Sequence, residues 1–176
     1  MGELSALLDR GIREVPDWPS PGVLFRDIAP LLAEPGGLDV LVRGFVDAIA
    51  PWGPVDRVAG IEARGFVLGA PLAVALGAGF VPVRKAGKLP GDVHAETYDL
   101  EYGTATLELQ VDAVADGHRV VVIDDVLATG GTALATVGLL RAAGAEVVGL
   151  AVLLDLAALG GRTRLSGTPV AALRTL

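Results

Sequence analysis

Apolar residues recur along this chain with two spacings. Leu4, Leu7, Leu8 and Ile12 share one face of a helix over residues 3–14, and Leu38, Leu41, Val42, Phe45, Val46 and Ile49 share one over 38–49. Short apolar runs mark buried strands instead: Val58 to Ile61, G-F-V-P-V-R-K at 79–85, Val120 to Ile123, E-V-V-G-L-A-V-L-L-D at 146–155, and a closing strand near 170–173. Small-residue helices over 66–76 and 132–143 lie between them, with Pro71 placed in the first turns of one and Gly144 capping the other. Alternating strands and helices predict an α/β fold, a mostly parallel sheet flanked by helices. No repeat or linker interrupts it, so residues 1–176 read as a single domain.

Two stretches break the rhythm. Pro16, Pro19 and Pro21 stop the first helix, and P-S-P-G-V-L-F-R-D-I-A-P-L-L after them reads as extended or irregular. It is either a structural arm on the core or a ligand-contacting loop. Residues 86–104 are dominated by Gly, Pro and polar residues and read as a long loop, with a hairpin stem at T-A-T-L-E-L-Q (104–110). Loops of this length in compact domains are usually functional or disordered.

The organising stretch is Arg119 to Ala133. A β-branched strand runs into adjacent acids, Asp124 and Asp125, then into A-T-G-G-T and a helix. Ligands of open α/β sheets sit at the strands' carboxyl ends. Glycines there turn backbone N–H groups toward a guest, and the next helix start adds partial positive charge, which is how a phosphate cradle is built. The acids can accept hydrogen bonds from a sugar's hydroxyls while the loop holds that sugar's phosphate. Alone, such a pair could equally be two solvated strand-end carboxylates.

Composition narrows the rest. A net charge of −7 argues against broad nucleic-acid binding, which needs a basic face. No apolar run is long enough to span a membrane, and the acidic start is unlike a signal peptide, so no membrane or nucleic-acid partner is expected. The absence of cysteine excludes disulfides and thiolate metal sites and permits the cytoplasmic location we expect. Arg84, Lys85 and Lys88 form a local basic cluster suited to an anion. The phosphate loop lacks the lysine of a Walker A motif, and no G-x-G-x-x-G, G-x-S-x-G or H-E-x-x-H occurs. His94 and His118, the two histidines, read as loop and turn residues.

V-V-V-I-D-D-V-L-A-T-G-G-T resembles the phosphoribosyl-pyrophosphate signature of the type I phosphoribosyltransferases. P-G-V-L-F-R-D-I-A-P-L-L at 21–32, G-I-E-A-R-G-F at 60–66, V-R-K-A-G-K-L-P-G at 83–91 and Y-D-L-E-Y-G at 98–103 resemble the members that act on adenine. The resemblance implies a type I phosphoribosyltransferase-like fold. It adds a small N-terminal hood over the base site (about 1–35) and makes 86–104 a mobile catalytic loop. It implies that Ala128, Thr129, Gly130, Gly131 and Thr132 hold the ribose 5′-phosphate and that Asp124 and Asp125 face the ribose hydroxyls. Ala63 and Arg64, at a strained turn, would meet the pyrophosphate together with Lys85 and Lys88, and Arg84 would reach that of a neighbouring subunit in a homodimer. Phe25 and Leu156 would sandwich adenine, backbone groups of Leu24 and Arg26 would read its amino edge, and Glu101 would handle the proton at N7. The catalytic set is thus Glu101, Asp124, Asp125 and Arg64. Two departures stand out: Ala86, where Pro or a basic residue is expected, and Asp155, where Glu is commoner.

The implied reaction transfers the phosphoribosyl group from phosphoribosyl pyrophosphate to adenine, giving AMP and pyrophosphate in purine salvage. Mg²⁺ would be held mainly by the substrate and water, with no direct protein ligand. Transfer to another purine base, or a non-catalytic nucleotide-sensing regulator of the same fold, are the alternatives. Asp124, Asp125 and Glu101 are all present and no basic winged-helix extension is seen, which disfavours the regulator.

Overall fold

In the computed structural model, residues 2–99 and 103–176 are described, the Asp99 side chain excepted. The chain divides into two compact units, Met1–Gly44 and Phe45–Leu176.

The first unit opens with helix α1 (Gly2–Gly11), which buries Leu7 and Leu8. The expected helix over 3–14 ends three residues early. Gly11 lies so close to Leu31 that an added Cβ would stand 2.8 Å from the Leu31 Cβ. Strands β1 (Arg13–Pro16) and β2 (Leu24–Asp27) then form an antiparallel hairpin. Arg13 opposes and ion-pairs with Asp27, and Glu14 opposes and ion-pairs with Arg26. Opposite charges facing each other across two strands stabilise the pair. This order in a proline-rich stretch was not apparent from apolar periodicity. A short helix α2 (Ala29–Ala33) follows, with Pro30 in its first turn, where proline is tolerated. Helix α3 (Gly37–Ile49) carries the boundary between the units.

The second unit is a seven-stranded sheet. Its strands are β3 (Arg57–Ile61), β4 (Gly79–Lys85), β5 (Val93–Asp99), β6 (Thr104–Gln110), β7 (Arg119–Leu127), β8 (Glu146–Asp155) and β9 (Val170–Thr175). The order is β5-β6-β4-β3-β7-β8-β9. Strands β4, β3, β7, β8 and β9 are parallel, and the β5–β6 hairpin joins antiparallel beyond β4. Crossover helices α4 (Arg64–Leu76) and α5 (Gly131–Ala142) connect parallel neighbours.

Alternate strand residues sort to the two faces. Ala59, Ile61, Val81, Val83, Val120, Val122, Leu150 and Val152 join one core cluster with Val137 and Leu140 of α5. On the other face Gly60 and Gly69 bring α4 against Phe80 and Ile123; a Cβ on Gly69 would lie 2.9 Å from each of those side chains. The expected mostly parallel, two-sided α/β sheet is therefore what forms.

Three expectations need correction. The 86–104 stretch is not loop throughout, because Val93–Asp99 forms β5, paired from Val93↔Gln110 to Asp99↔Thr104. As the outermost strand it needs few apolar residues, which hid it among polar neighbours. Pro71 is not in the first turns of α4. The helix starts at Arg64, which puts the proline in its second half. After β8 a 3-10 turn (Ala157–Leu159) and a short helix α6 (Gly161–Arg164) appear where no element was expected.

Leu140 is fully buried between α5 and the sheet. Leu140→Ala should lower stability by about 2–5 kcal/mol, the usual cost of such a cavity, as read by denaturant unfolding.

Candidate active site

The carboxyl ends of β4, β3, β7 and β8 lie side by side and carry nearly all the chemistry expected of the second unit. Strand β7, flanked by parallel partners on both sides, carries Asp124 and Asp125 just before its last two residues, Val126 and Leu127. Neither is a freely solvated strand-end acid: Asp124 is half-buried at the cleft and Asp125 is buried. Asp125 is 3% exposed and forms an ion pair with the Arg64 guanidinium from the first residue of α4. Asp124 accepts the Asp125 backbone N–H at 2.9 Å. Burial first, and then the Asp125 charge, push the Asp124 carboxyl well above the usual carboxylate range. Gly65 makes this packing possible, since a Cβ there would stand 2.6 Å from the Ile123 carbonyl oxygen.

Beyond β7 the chain turns through Ala128, Thr129 and Gly130 into α5. Gly130 precedes the helix with φ +84°, and a Cβ on it would meet the Gly161 carbonyl oxygen at 2.9 Å, so both conformation and space call for glycine. No side chain caps this helix start. Its first backbone N–H groups have no partner within the helix and face outward with the positive end of the helix dipole. Asp124, Ala128, Thr129, Gly130, Gly131 and Thr132 all line one cleft, partly open to solvent. The predicted phosphate loop is therefore brought together with one acid of the pair.

Next to β7, strand β3 runs into Glu62, and the Glu62–Ala63 peptide is cis. Ala63 precedes the first turn of α4. Glu62, which the sequence reading passed over, is the hub of the basic cluster. Its carboxylate takes Lys88 Nζ at 2.5 Å, the Lys85 backbone N–H at 3.1 Å and Arg84 at 3.4 Å. Those partners, Lys88 foremost, hold its pKa down at about 2. Arg84 also donates to the Lys88 carbonyl at 3.1 Å and lies 5.9 Å from the centre of the Phe66 ring. Only its place in G-I-E-A-R-G-F, at a strand end two residues before Arg64, could have flagged Glu62.

The predicted base-site residues divide between the units. In the first, Phe25 stands edge-on to Trp18 with centroids 4.3 Å apart, Leu24 is exposed, and Arg26 is held by Glu14. Trp18 was not singled out beforehand. In the second, Leu156 follows β8 and donates its backbone N–H to the Leu127 carbonyl at 2.9 Å, beside the start of the predicted phosphate loop. Asp155 before it is buried and paired with Arg162. Glu101 lies outside the described residues. Among the described residues no group of three His, Cys, Asp or Glu side chains is placed to hold a metal ion, and no helix is long and apolar enough to cross a membrane.

Known proteins share this fold. The family model for the phosphoribosyl transferase domain matches residues 45–165. The chain is 55% identical to the adenine phosphoribosyltransferase of Thermobifida fusca over 99% of its own length and 98% of that protein's. It is similar to the crystal structure of adenine phosphoribosyltransferase from Rhodothermus marinus, with TM-score 0.93, 47% identity and complete coverage of both chains. A Saccharomyces cerevisiae adenine phosphoribosyltransferase, complexed with an imino-altritol bisphosphate and adenine, matches with TM-score 0.93 and 38% identity over 99% of this chain and 100% of that one.

The two carboxylates of this site with shifted pKa predict opposite responses to pH. Asp124 has its folded pKa above its unfolded value, so above the usual carboxylate range its ionisation costs stability. Asp124→Asn should therefore melt higher than the wild type at neutral pH, with the gap closing as the medium is acidified. Glu62 is the reverse case. Its stabilisation is complete above its unfolded pKa of 4.5 and is lost as pH falls towards about 2. Glu62→Gln should melt lower than the wild type at neutral pH and converge with it in strong acid. Thermal scans of the three proteins across pH check both.

Proposed function

This chain belongs to the phosphoribosyl transferase family and, within it, to the adenine phosphoribosyltransferases, and from that premise we propose how its site works. The enzyme transfers the 5-phosphoribosyl group from phosphoribosyl pyrophosphate to adenine, giving AMP and pyrophosphate, a purine-salvage reaction. The observation that carries this reading is the convergence of a phosphate-type loop, an acid pair and a cluster of cations at adjacent strand ends of one sheet.

The roles follow from charge and reach. Ala128 to Thr132, with the start of α5, hold the 5′-phosphate through backbone N–H groups and hydroxyls. Asp124 and Asp125 accept the ribose hydroxyls, and neutralisation by Arg64 lets Asp125 remain buried beside its neighbour. As a ring nitrogen of adenine bonds to C1, the C1–O bond to pyrophosphate breaks through a cationic, oxocarbenium-like centre. Charge collects on the leaving oxygens. Ala63 and Arg64, with Lys85 and Lys88, surround that group, each charge-assisted hydrogen bond contributing about 1.5–3 kcal/mol. Pyrophosphate would compete with Glu62 for Lys88, and the partner subunit's pyrophosphate for Arg84.

Mg²⁺ is the metal we propose. Asp125 is engaged by Arg64, and no three-carboxylate or histidine cage occurs among the described residues, a donor set that suits an ion carried in by substrate oxygens and water. When bound it would neutralise charge on the pyrophosphate. Leu24, Phe25, Arg26 and Leu156 are proposed as adenine contacts, and Glu101 as the group that takes the N7 proton. A cytoplasmic homodimer, with Arg84 serving the partner's pyrophosphate, is the proposed setting. The relatives' shared specificity supports adenine over other purines.

A base-selectivity assay tests the reading: adenine should react with phosphoribosyl pyrophosphate far faster than guanine or hypoxanthine, and comparable rates would overturn the specificity. Glu101→Gln should lower kcat about 10²–10⁴-fold while phosphoribosyl pyrophosphate binding, followed by calorimetry, stays near wild type. Phe25→Ala should raise the KM for adenine more than that for phosphoribosyl pyrophosphate.

A further inference from the structure

One side chain of the edge hairpin reaches the phosphate loop. Tyr98, near the end of β5, places its hydroxyl 3.1 Å from Thr132 Oγ1, a contact between residues 34 apart in the chain. Its ring is partly buried and packs against the core cluster that α5 covers. Thr132 is the second residue of α5 and lines the phosphate cleft. Its carbonyl accepts the Thr136 hydroxyl at 2.9 Å, so a second bond steadies this turn of the helix.

The bond matters because a threonine hydroxyl has one proton and two lone pairs. Left alone it rotates, and its proton points to whichever acceptor is nearest. If the phenol donates to Thr132 Oγ1, one lone pair is occupied and the proton is left for an acceptor in the cleft. An anion in the cleft favours that sense, since it accepts and cannot donate. The packed ring holds the phenol in place beforehand, so the orientation is set with little reorganisation on binding.

We propose that Tyr98 is a positioning residue of the ribose 5′-phosphate site, its phenolic hydroxyl donating to Thr132 Oγ1 and aiming the Thr132 proton at the bound phosphate. This rests on the reading of residues 128–132 as the 5′-phosphate loop. It gives β5 a part in substrate binding distinct from that of Glu101.

Tyr98→Phe tests it, because it removes the hydroxyl and keeps the ring. Calorimetric titration of the full chain with ribose 5-phosphate should show about three- to tenfold weaker binding, the loss of one neutral hydrogen bond, while pyrophosphate binds as to the wild type. Thr132→Val should weaken ribose 5-phosphate at least as much, and adding Tyr98→Phe to it should change nothing more. In steady state the KM for phosphoribosyl pyrophosphate should rise while that for adenine holds, a split that general loosening of the hairpin would not produce. Wild-type affinity for ribose 5-phosphate in Tyr98→Phe, equal loss of pyrophosphate binding, or additivity with Thr132→Val would each overturn the proposal. If the wild type turns over adenine and Tyr98→Phe binds ribose 5-phosphate normally, only this inference fails. If the wild type binds neither ribose 5-phosphate nor phosphoribosyl pyrophosphate, the reading of the loop fails with it.

Discussion

Two carboxylates cannot sit side by side at the end of a buried strand without compensation, and much of this site serves that requirement. Asp125 is almost wholly buried, and the Arg64 guanidinium neutralises it from the start of the helix that crosses to the next parallel strand. Asp124 keeps a hydrogen bond from the Asp125 N–H yet has a strongly raised pKa, so its charge is only partly compensated. A ligand that brings hydroxyl donors, as we propose for the ribose, would relieve that deficit. Strain of this kind at a binding site costs stability and gives the substrate something to satisfy.

The second charge cluster is arranged the other way round. Glu62 is a single carboxylate among several donors, and its pKa is held at about 2. Lys88 and Arg84 are gathered on it and are not spread through solvent. The two clusters belong to neighbouring strand ends of one sheet, so an excess of acid and an excess of base lie close together. A substrate with hydroxyls at one end and a polyanionic leaving group at the other matches that polarity. Tyr98 adds a third contribution, a neutral one, from the sheet's edge to Thr132 of the proposed phosphate loop.

Several features were legible because they are local. The parallel strands announced themselves as apolar runs, and the helices α3 and α5 fell within a residue or so of their expected spans. Gly130 and the acids before it could be read as a phosphate loop because turn chemistry and strand polarity are written in adjacent residues. What was missed depends on partners distant in the chain. The β1–β2 hairpin is held by cross-strand ion pairs in a stretch that reads from sequence only as extended or irregular. Strand β5 is an edge strand whose polar residues resemble those of a loop. Beyond its place in G-I-E-A-R-G-F, Glu62 has no distinguishing local signal, and becomes a hub only when residues 85 and 88 fold onto it.

By itself, then, the sequence determined the class of fold and the kinds of group at the site, because hydrophobic period, glycine placement and the D-D-V-L-A-T-G-G-T run are properties of neighbouring residues. Tertiary structure decided which of those groups meet. The pairing of Arg64 with Asp125, of Lys88 with Glu62 and of Tyr98 with Thr132 spans 61, 26 and 34 residues. Each arises because parallel crossovers bring successive strand ends to the same edge, or because the hairpin folds back beside α5. Protonation followed from that packing as well, since desolvation and neighbouring charge, which set the carboxyl of Asp124 and that of Glu62 in opposite directions, exist only once the strands are assembled.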